Sequence, residues 1–447
     1  MDNKYLLSYL KDFFNDPRMN RVLDYFKVDL DFYLYAYGSQ FRDYDNLENT
    51  IQYMYGGPKR NVLFRKKTGF INWLRHKAYI LASRRVDKTA NKRKKSEAIN
   101  KKVLFIENVS IEAKSKFSEN NITVYCLDDY LNKNHSGICK IFEWYDSLYK
   151  LSFKERLELE RYTCLDDFIV IIQDTFKDFD GLFVGNEEYF KCKLFIDAFK
   201  GIGIPTYNWS HGIDCTYEVP MRVDYQLVWG KGVKDNLVRY GRNKDSIIVA
   251  GNIRYFDVPK SIHFRNSLED VLVLTSVTVA NIRHSWEYEY FDKWDRSLLL
   301  TYIYSVEKVL KDVGIKHARL RPHPINNKLW LEKFIDTDFF SLDDLRLDKS
   351  LERASLAIGP NSSTFVEALR KGVTYLVYEP GDDGKNLLDT KLNPPFDGSD
   401  ENLKVAFNEE QLKELIVNRY SCNQNILDKY IVPFDINSFK HTLGRKG

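Results

Sequence analysis

The hydrophobic positions change rhythm near residue 102. Before it, apolar residues recur at helical spacing, as in Tyr5-Leu6-Leu7-Ser8-Tyr9-Leu10 and again over 21–26, up to Gly56-Gly57-Pro58. After it, short apolar runs alternate with longer mixed stretches. Val103-Leu104-Phe105-Ile106, Thr123-Val124-Tyr125-Cys126, Gly181-Leu182-Phe183-Val184, 204–209, 224–230 and 246–250 read as strands, with helices over 188–200 and 234–240. Phe168-Ile169-Val170-Ile171-Ile172 fits a strand or a helix. A second series opens at Val271-Leu272-Val273-Leu274 and runs through a helix near 294–313, a strand ending at Arg321, the triplet Leu356-Ala357-Ile358, a helix over 361–370 and the strand 374–378. Continuous apolar strands separated by helices call for parallel sheets covered on both faces.

The expected fold is therefore α/β, with two Rossmann-like doubly wound domains facing a central cleft and hinged in the polar stretch 259–270. The boundaries are 1–101 for a helical, basic N-terminal appendage, 102–260 for the first Rossmann-like domain, 261–430 for the second, and 431–447 for a tail crossing back. A chain of 447 residues with 44% hydrophobic content is ample for two cores. Six cysteines without a Cys-x-x-Cys spacing support neither a disulfide framework nor zinc, and are expected as reduced thiols. No run of 18 apolar residues and no signal-peptide pattern is present, so a cytoplasmic location is expected.

The net charge of +4 conceals an asymmetry. Residues 1–102 carry 22 Lys/Arg against 11 Asp/Glu, and within 59–102 the ratio is 16 to 2. Aromatic and basic residues interleave in Phe64-Arg65-Lys66-Lys67 and Phe70-Ile71-Asn72-Trp73-Leu74-Arg75. Such a segment fits a helix lying on the anionic inner face of a membrane, or a solvated linker with an ordinary amphipathic helix. No nucleic-acid-binding module is visible, and no nucleic-acid partner is expected.

The chemistry concentrates at the ends of the expected strands. Arg321-Pro322-His323-Pro324 puts a histidine just beyond one strand. Gly359-Pro360-Asn361-Ser362-Ser363-Thr364 puts an amide and three hydroxyls between the next strand and a helix, with Asn361 or Ser362 as its cap. Amides, hydroxyls and a histidine converging there suit a phosphorylated ligand. In the first half, Ser210-His211-Gly212-Ile213-Asp214 and Glu107 also follow strands. His211 and Asp214, with Glu107 third, are candidates for a general base, and Gly212 permits close approach of a ligand. Gly251-Asn252-Ile253-Arg254 and Thr275-Ser276 either line the site near the hinge or are plain turns. No Asp-x-Asp pair is read as a metal site, because an arginine, a histidine and a helix start can take over a divalent cation's role.

Taken together, Ser210-His211-Gly212, Asp224-Tyr225, Val228-Trp229-Gly230-Lys231, Val249-Ala250-Gly251-Asn252, Arg321-Pro322-His323-Pro324 and Pro360-Asn361-Ser362-Ser363-Thr364 with Glu367-Ala368 resemble bacterial GT-B transferases of surface polysaccharide synthesis. That group includes capsule Kdo transferases, sialyltransferases and teichoic-acid glycerophosphotransferases. The resemblance covers about 200–380 by motif, 102–200 by pattern only, and 1–101 not at all.

It implies a metal-independent glycosyltransferase whose substrate is a nucleotide-sugar, with no separate cofactor, and whose acceptor is a glycan or its lipid-linked precursor. His323, Ser362 and Ser363 would hold the phosphate, and Glu367 the ribose. A CMP-sugar such as Kdo or sialic acid is favoured, because one phosphate needs a compact cradle. The acidic-acidic-Gly motif that supplies the base in several sialyltransferases has no counterpart here, since Phe179-Asp180-Gly181 lacks one acid. A CDP-glycerol or CDP-ribitol phosphotransferase and a non-catalytic assembly scaffold are the competing functions.

Overall fold

The computed structural model describes residues 100–134, 138, 141, 165–185, 187, 190–210, 212–213, 222–275, 296–324, 328–381 and 392–444. The expected N-terminal appendage and the basic stretch 59–102 therefore lie outside the described residues, apart from 100–102.

In the first half, β1 (Lys101–Phe105), β2 (Ile122–Cys126), β3 (Gly181–Val184), β4 (Thr206–Trp209), β5 (Tyr225–Val228) and β6 (Ile247–Val249) form one sheet in the order β2-β1-β3-β4-β5-β6, every pair parallel. Its helices are α1 (Ile111–Glu119), α2 (Leu127–Asn134), α3 (Leu165–Phe176), α4 (Phe190–Gly201) and α5 (Lys231–Arg239). In the second half, β7 (Val271–Leu274), β8 (Ala318–Arg321), β9 (Phe340–Leu342), β10 (Leu356–Gly359), β11 (Tyr375–Tyr378) and β12 (Val405–Ala406) form a second parallel sheet in the order β12-β11-β10-β7-β8-β9. Renumbered within that half and read from β9, the order is 3-2-1-4-5-6, the doubly wound arrangement of dinucleotide-binding folds. Its helices are α6 (Arg296–Asp312), α7 (Lys328–Leu331), α8 (Leu347–Arg353), α9 (Thr364–Arg370), α10 (Glu409–Val417), α11 (Gln424–Tyr430) and α12 (Asn437–Lys440).

The ambiguous run at 168–172 is helical. In α3, Phe168, Ile171, Ile172 and Phe176 are buried, a spacing that lines one face of a helix against Leu104, Leu182 and Val184 of the sheet. On the opposite sheet face, alternate strand residues stack their rings: Phe105 on Phe183 and Phe183 on Tyr207, each pair with centroids 4.6 Å apart. The tail covers this face. Ile436, Phe439 and Leu443 are buried in that cluster, and the Tyr207 hydroxyl bonds to Thr442 Oγ1 at 2.7 Å.

Each helix start that carries an asparagine cap does so for the usual reason. Asn408 Oδ1 accepts from Gln411 N, and Asn423 Oδ1 from Ile426 N, satisfying amides that have no partner inside the helix. The two halves share a core. Val228, Trp229, Val233 and Leu237 of the first belong to one buried cluster with Phe365, Val366 and Leu369 of α9, and α11 packs on both α5 and α9. No described helix is long and apolar enough to cross a membrane.

Candidate active site

In an open parallel sheet, the crevice outside the carboxyl ends of two strands lies where the strand order reverses. In the second sheet that point is between β7 and β10, with β8 beside β7. Thr275 follows β7, its N–H donating to Arg321 O at 3.3 Å, and its hydroxyl accepts the His323 N–H at 2.8 Å. The two strand ends are thus tied and His323 is presented at the edge. Its imidazole is half-buried, and burial pushes its pKa below the ordinary value of 6.5, favouring the neutral ring.

Beyond β10 the chain turns at Gly359-Pro360, where the Tyr375 hydroxyl donates to Pro360 O at 2.7 Å. A Cβ on Gly359 would stand 2.1 Å from that hydroxyl, so only glycine fits. Asn361 N–H donates to the buried carboxylate of Glu379 at the end of β11. Ser362 Oγ accepts the Thr364 N–H at 3.2 Å, while Ser363, the cap residue itself, makes no side-chain cap bond. The helix begins at Thr364, later than the 361 start read from the sequence, because Ser362 and Ser363 are used in the turn.

The remaining expected residues divide. Glu367 lies in α9, and its charge adds to the burial that raises the pKa of Tyr255. Arg321 points along the sheet away from the switch point, its Nη1 donating to Ser350 Oγ at 3.1 Å and Leu345 O and approaching Asp343 at 3.5 Å. Gly251 (φ +76°) packs where a Cβ would meet Val432 O at 2.5 Å, so it serves the tail crossing. Asn252 Oδ1 accepts from Arg254 N at 2.8 Å, an Asx turn, and Arg254 is exposed. His211, Asp214 and Ser276 lie outside the described residues.

At the first sheet's reversal, between β1 and β3, stands Glu107. Its carboxylate accepts the Gly185 N–H at 2.9 Å, and burial raises its pKa, an effect the Gly185 bond only partly offsets. Nearby, the end of β4 is fixed by Trp229 Nε1 donating to Ser210 O at 2.8 Å. Among the described residues, the Asp-x-Asp triplets Asp178-Phe179-Asp180 and Asp336-Thr337-Asp338 stand at the amino edges of β3 and β9, where Asp180 accepts from Lys102 N and Asp336 from Asp338 N. They are on the wrong edge for the crevice. Among the described residues, no cluster of His, Cys, Asp or Glu could hold a metal ion.

One contact sets the halves against each other. A Cβ built on Gly212, just past β4, would lie 2.3 Å from Ser363 Oγ. The carboxyl edge of the first sheet therefore abuts the hydroxyl turn of the second. Sequence reading identified both residues, but not that they meet. It missed Glu379 and Tyr255, whose only sequence signal is a polar side chain just past a strand and an aromatic in a polar linker.

Two parallel doubly wound sheets in one chain, with their carboxyl edges meeting, define the GT-B class of fold. No protein-family model matches the sequence, and no curated protein matches it. Among solved structures, the chain is similar to the UDP-GlcNAc 2-epimerase of Methanocaldococcus jannaschii, with 13% identity over 76% of this chain and 97% of that one and a TM-score of 0.42. It is also similar to the lipopolysaccharide outer core galactosyltransferase WaaB in its apo form, at 12% identity, 76% and 97% coverage and a TM-score of 0.40, and to Acinetobacter baumannii MurG, at 10%, 76% and 97%, and 0.37. At such scores the likeness adds nothing to the strand order, on which the fold assignment rests.

Proposed function

We propose that the chain is a glycosyltransferase that takes a sugar from a nucleotide-activated donor and passes it to a glycan or a lipid-linked glycan precursor. The observation that carries this reading is the meeting of Gly212 with the Ser362–Ser363 turn, one strand end away from His323. A phosphate at that meeting point would be bound by His323 and by the Ser363 and Thr364 hydroxyls and neighbouring amides. Negative charge builds on the leaving phosphate in the transition state, so groups already aimed at it lower the barrier without reorganising. Glu367, one helical turn on, would bind the ribose. Glu107 would take the proton from the acceptor hydroxyl, with His211 and Asp214 as the other residues proposed for that step.

Arg321 has no part in this scheme, since its guanidinium is engaged beyond β8. The basic stretch 59–102 is proposed to bring the enzyme to an anionic membrane, where a lipid-linked acceptor would be found.

A thermal-shift series with CMP, CDP, UDP and GDP tests the reading. A nucleotide at ~100 times its dissociation constant stabilises the native state by about 2.7 kcal/mol, which raises the melting temperature by about 2 °C or more. The nucleotide that gives the largest rise identifies the donor class, CMP being the expected one. No rise with any of the four removes the nucleotide-sugar reading.

Gly212 and Ser363 give a second test. Alanine at 212 displaces the Ser363 hydroxyl, which can rotate away at a cost of about 0.5–1.5 kcal/mol, so the fold survives. Each of Gly212→Ala and Ser363→Ala is expected to lower transfer about ten- to hundredfold, the worth of one hydrogen bond to a charged group. The double variant should lose no more than either alone. Additive losses would show that the two residues act separately.

A further inference from the structure

The chain enters the hydroxyl turn through the Pro360–Asn361 peptide, and β11 holds that peptide at both ends. Its carbonyl, Pro360 O, accepts the Tyr375 hydroxyl at 2.7 Å, and its amide, Asn361 N–H, donates to Glu379 Oε1. Tyr375 opens β11 and Glu379 directly follows it, so one strand supplies both contacts. Gly359 leaves the room that the tyrosine oxygen needs.

Neither holder is loose. Tyr375 is buried, its ring edge-on to Phe365 of α9 with centroids 5.5 Å apart at 87°, and its carbonyl accepts from Cys422 Sγ at 3.5 Å. Glu379 is buried as well, and its N–H donates to Ala406 O of β12 at 2.9 Å. The sequence Gly359-Pro360-Asn361-Ser362 needs such a restraint. In a tight turn with proline second and asparagine third, the peptide between them can face either way, and the flipped form carries the asparagine to φ of about +80°. Asparagine tolerates that region. Asn361 does not lie there: among the described non-glycine residues, only Asn121 and Arg419 have positive φ. A flip would turn the Pro360 carbonyl and the Asn361 N–H away from Tyr375 and Glu379, and would redirect Ser362 and Ser363 behind them.

We propose that Tyr375 and Glu379 are positioning residues for the donor's phosphate: gripping the Pro360–Asn361 peptide from β11, they hold the Ser362 and Ser363 hydroxyls where the two halves meet. Two residues past the gripped peptide, Ser363 Oγ stands 2.3 Å from a Cβ built on Gly212, so the turn has little room to shift. Each residue acts through the backbone and not by contact with the ligand. This inference rests on the reading of the site as a nucleotide-sugar site.

Calorimetric titration of the full chain with CMP, cytidine, UDP and uridine tests it, because a nucleoside carries every group of its nucleotide except the phosphate. The wild type is expected to bind one nucleotide about tenfold or more tighter than its nucleoside. Tyr375→Phe keeps the ring on Phe365 and removes the donor to Pro360 O. Glu379→Ala removes the acceptor for Asn361 N–H, whereas Glu379→Gln keeps an oxygen there. Tyr375→Phe and Glu379→Ala should each weaken the nucleotide about three- to tenfold, the worth of one hydrogen bond, and leave the nucleoside unchanged. Glu379→Gln should restore most of the loss. A Tyr375→Phe variant that keeps the full preference for nucleotide over nucleoside overturns the positioning role, as does one that loses both affinities equally, the mark of general damage. Should Glu379→Ala fail to fold, Tyr375→Phe decides. Equal binding of nucleotide and nucleoside by the wild type overturns the inference while nucleotide binding stands. Failure of the wild type to bind any of the four overturns both this inference and the reading beneath it.

Discussion

Replacing His323 with alanine lowers kcat/KM for sugar transfer by about 10²- to 10³-fold, the usual cost of removing one preorganised group that stabilises developing charge. The structure supplies the preorganisation: the backbone of His323 is tied to Thr275 at the sheet edge, and its ring is half-buried. The pH response separates a phosphate ligand from a residue that merely shapes the crevice. In the free protein burial holds the imidazole below 6.5, and a bound phosphate lifts it again. Binding then takes up a proton, so nucleotide affinity rises as the pH falls through the interval between those two values. The unfolded chain, with its histidine at the ordinary value, binds more protons there, so stability of the free protein falls as the pH drops below 6.5. Titrations between pH 5 and 8 should show the affinity rise in the wild type and a flat response in His323→Ala. A variant that retains both full transfer and the pH response would take the histidine out of the site.

Glu107→Gln is expected to lower kcat by about 10²- to 10⁴-fold while donor KM changes little, the signature of a lost general base. A carboxylate with a raised pKa is a stronger base than an exposed one, and Glu107 owes its rise chiefly to burial. The acid limb of the pH–rate profile should therefore lie above 4.5 in the wild type and vanish in the variant. Stability moves the opposite way. A folded pKa above the unfolded value favours the fold below pH 4.5, and that advantage is lost as the pH rises through the folded value. Glutamine keeps the acceptor for Gly185 N–H and removes that dependence, so the variant should be no less stable than the wild type at neutral pH. Full activity in Glu107→Gln, with loss in His211→Ala or Asp214→Ala, would move the base to the residues after β4.

The layout of this protein is legible in its sequence where a local rhythm carries the information. Runs such as Val103 to Ile106 and Val271 to Leu274 are apolar throughout because both sheet faces are covered, and that pattern has few other causes. Elements whose rhythm is weak are hidden. β9 is only Phe340–Leu342, with Ser341 exposed, and α11 offers Ile426, Leu427 and Tyr430 in a polar setting that makes sense only once α5 and α9 are present. The candidate site divides the same way. The hydroxyl run and His323 stand out because unusual residues cluster over a few positions. The places of Glu379 and Tyr255 depend on partners 18 and 115 residues away, Asn361 and Arg370. The carboxylate of Arg321's partner, Asp343, lies across the sheet, so an arginine that reads as a phosphate ligand in one dimension is a brace between β8 and β9 in three.

The segment that follows α11 completes the first sheet. Phe183 and Tyr207 are shielded by Phe439, and Leu443 closes the position beside Gly181. During synthesis the earlier half thus waits, one aromatic face wet, until more than 200 further residues have been made. Removing residues 436–444 would leave the second sheet whole in sequence and unfasten the first.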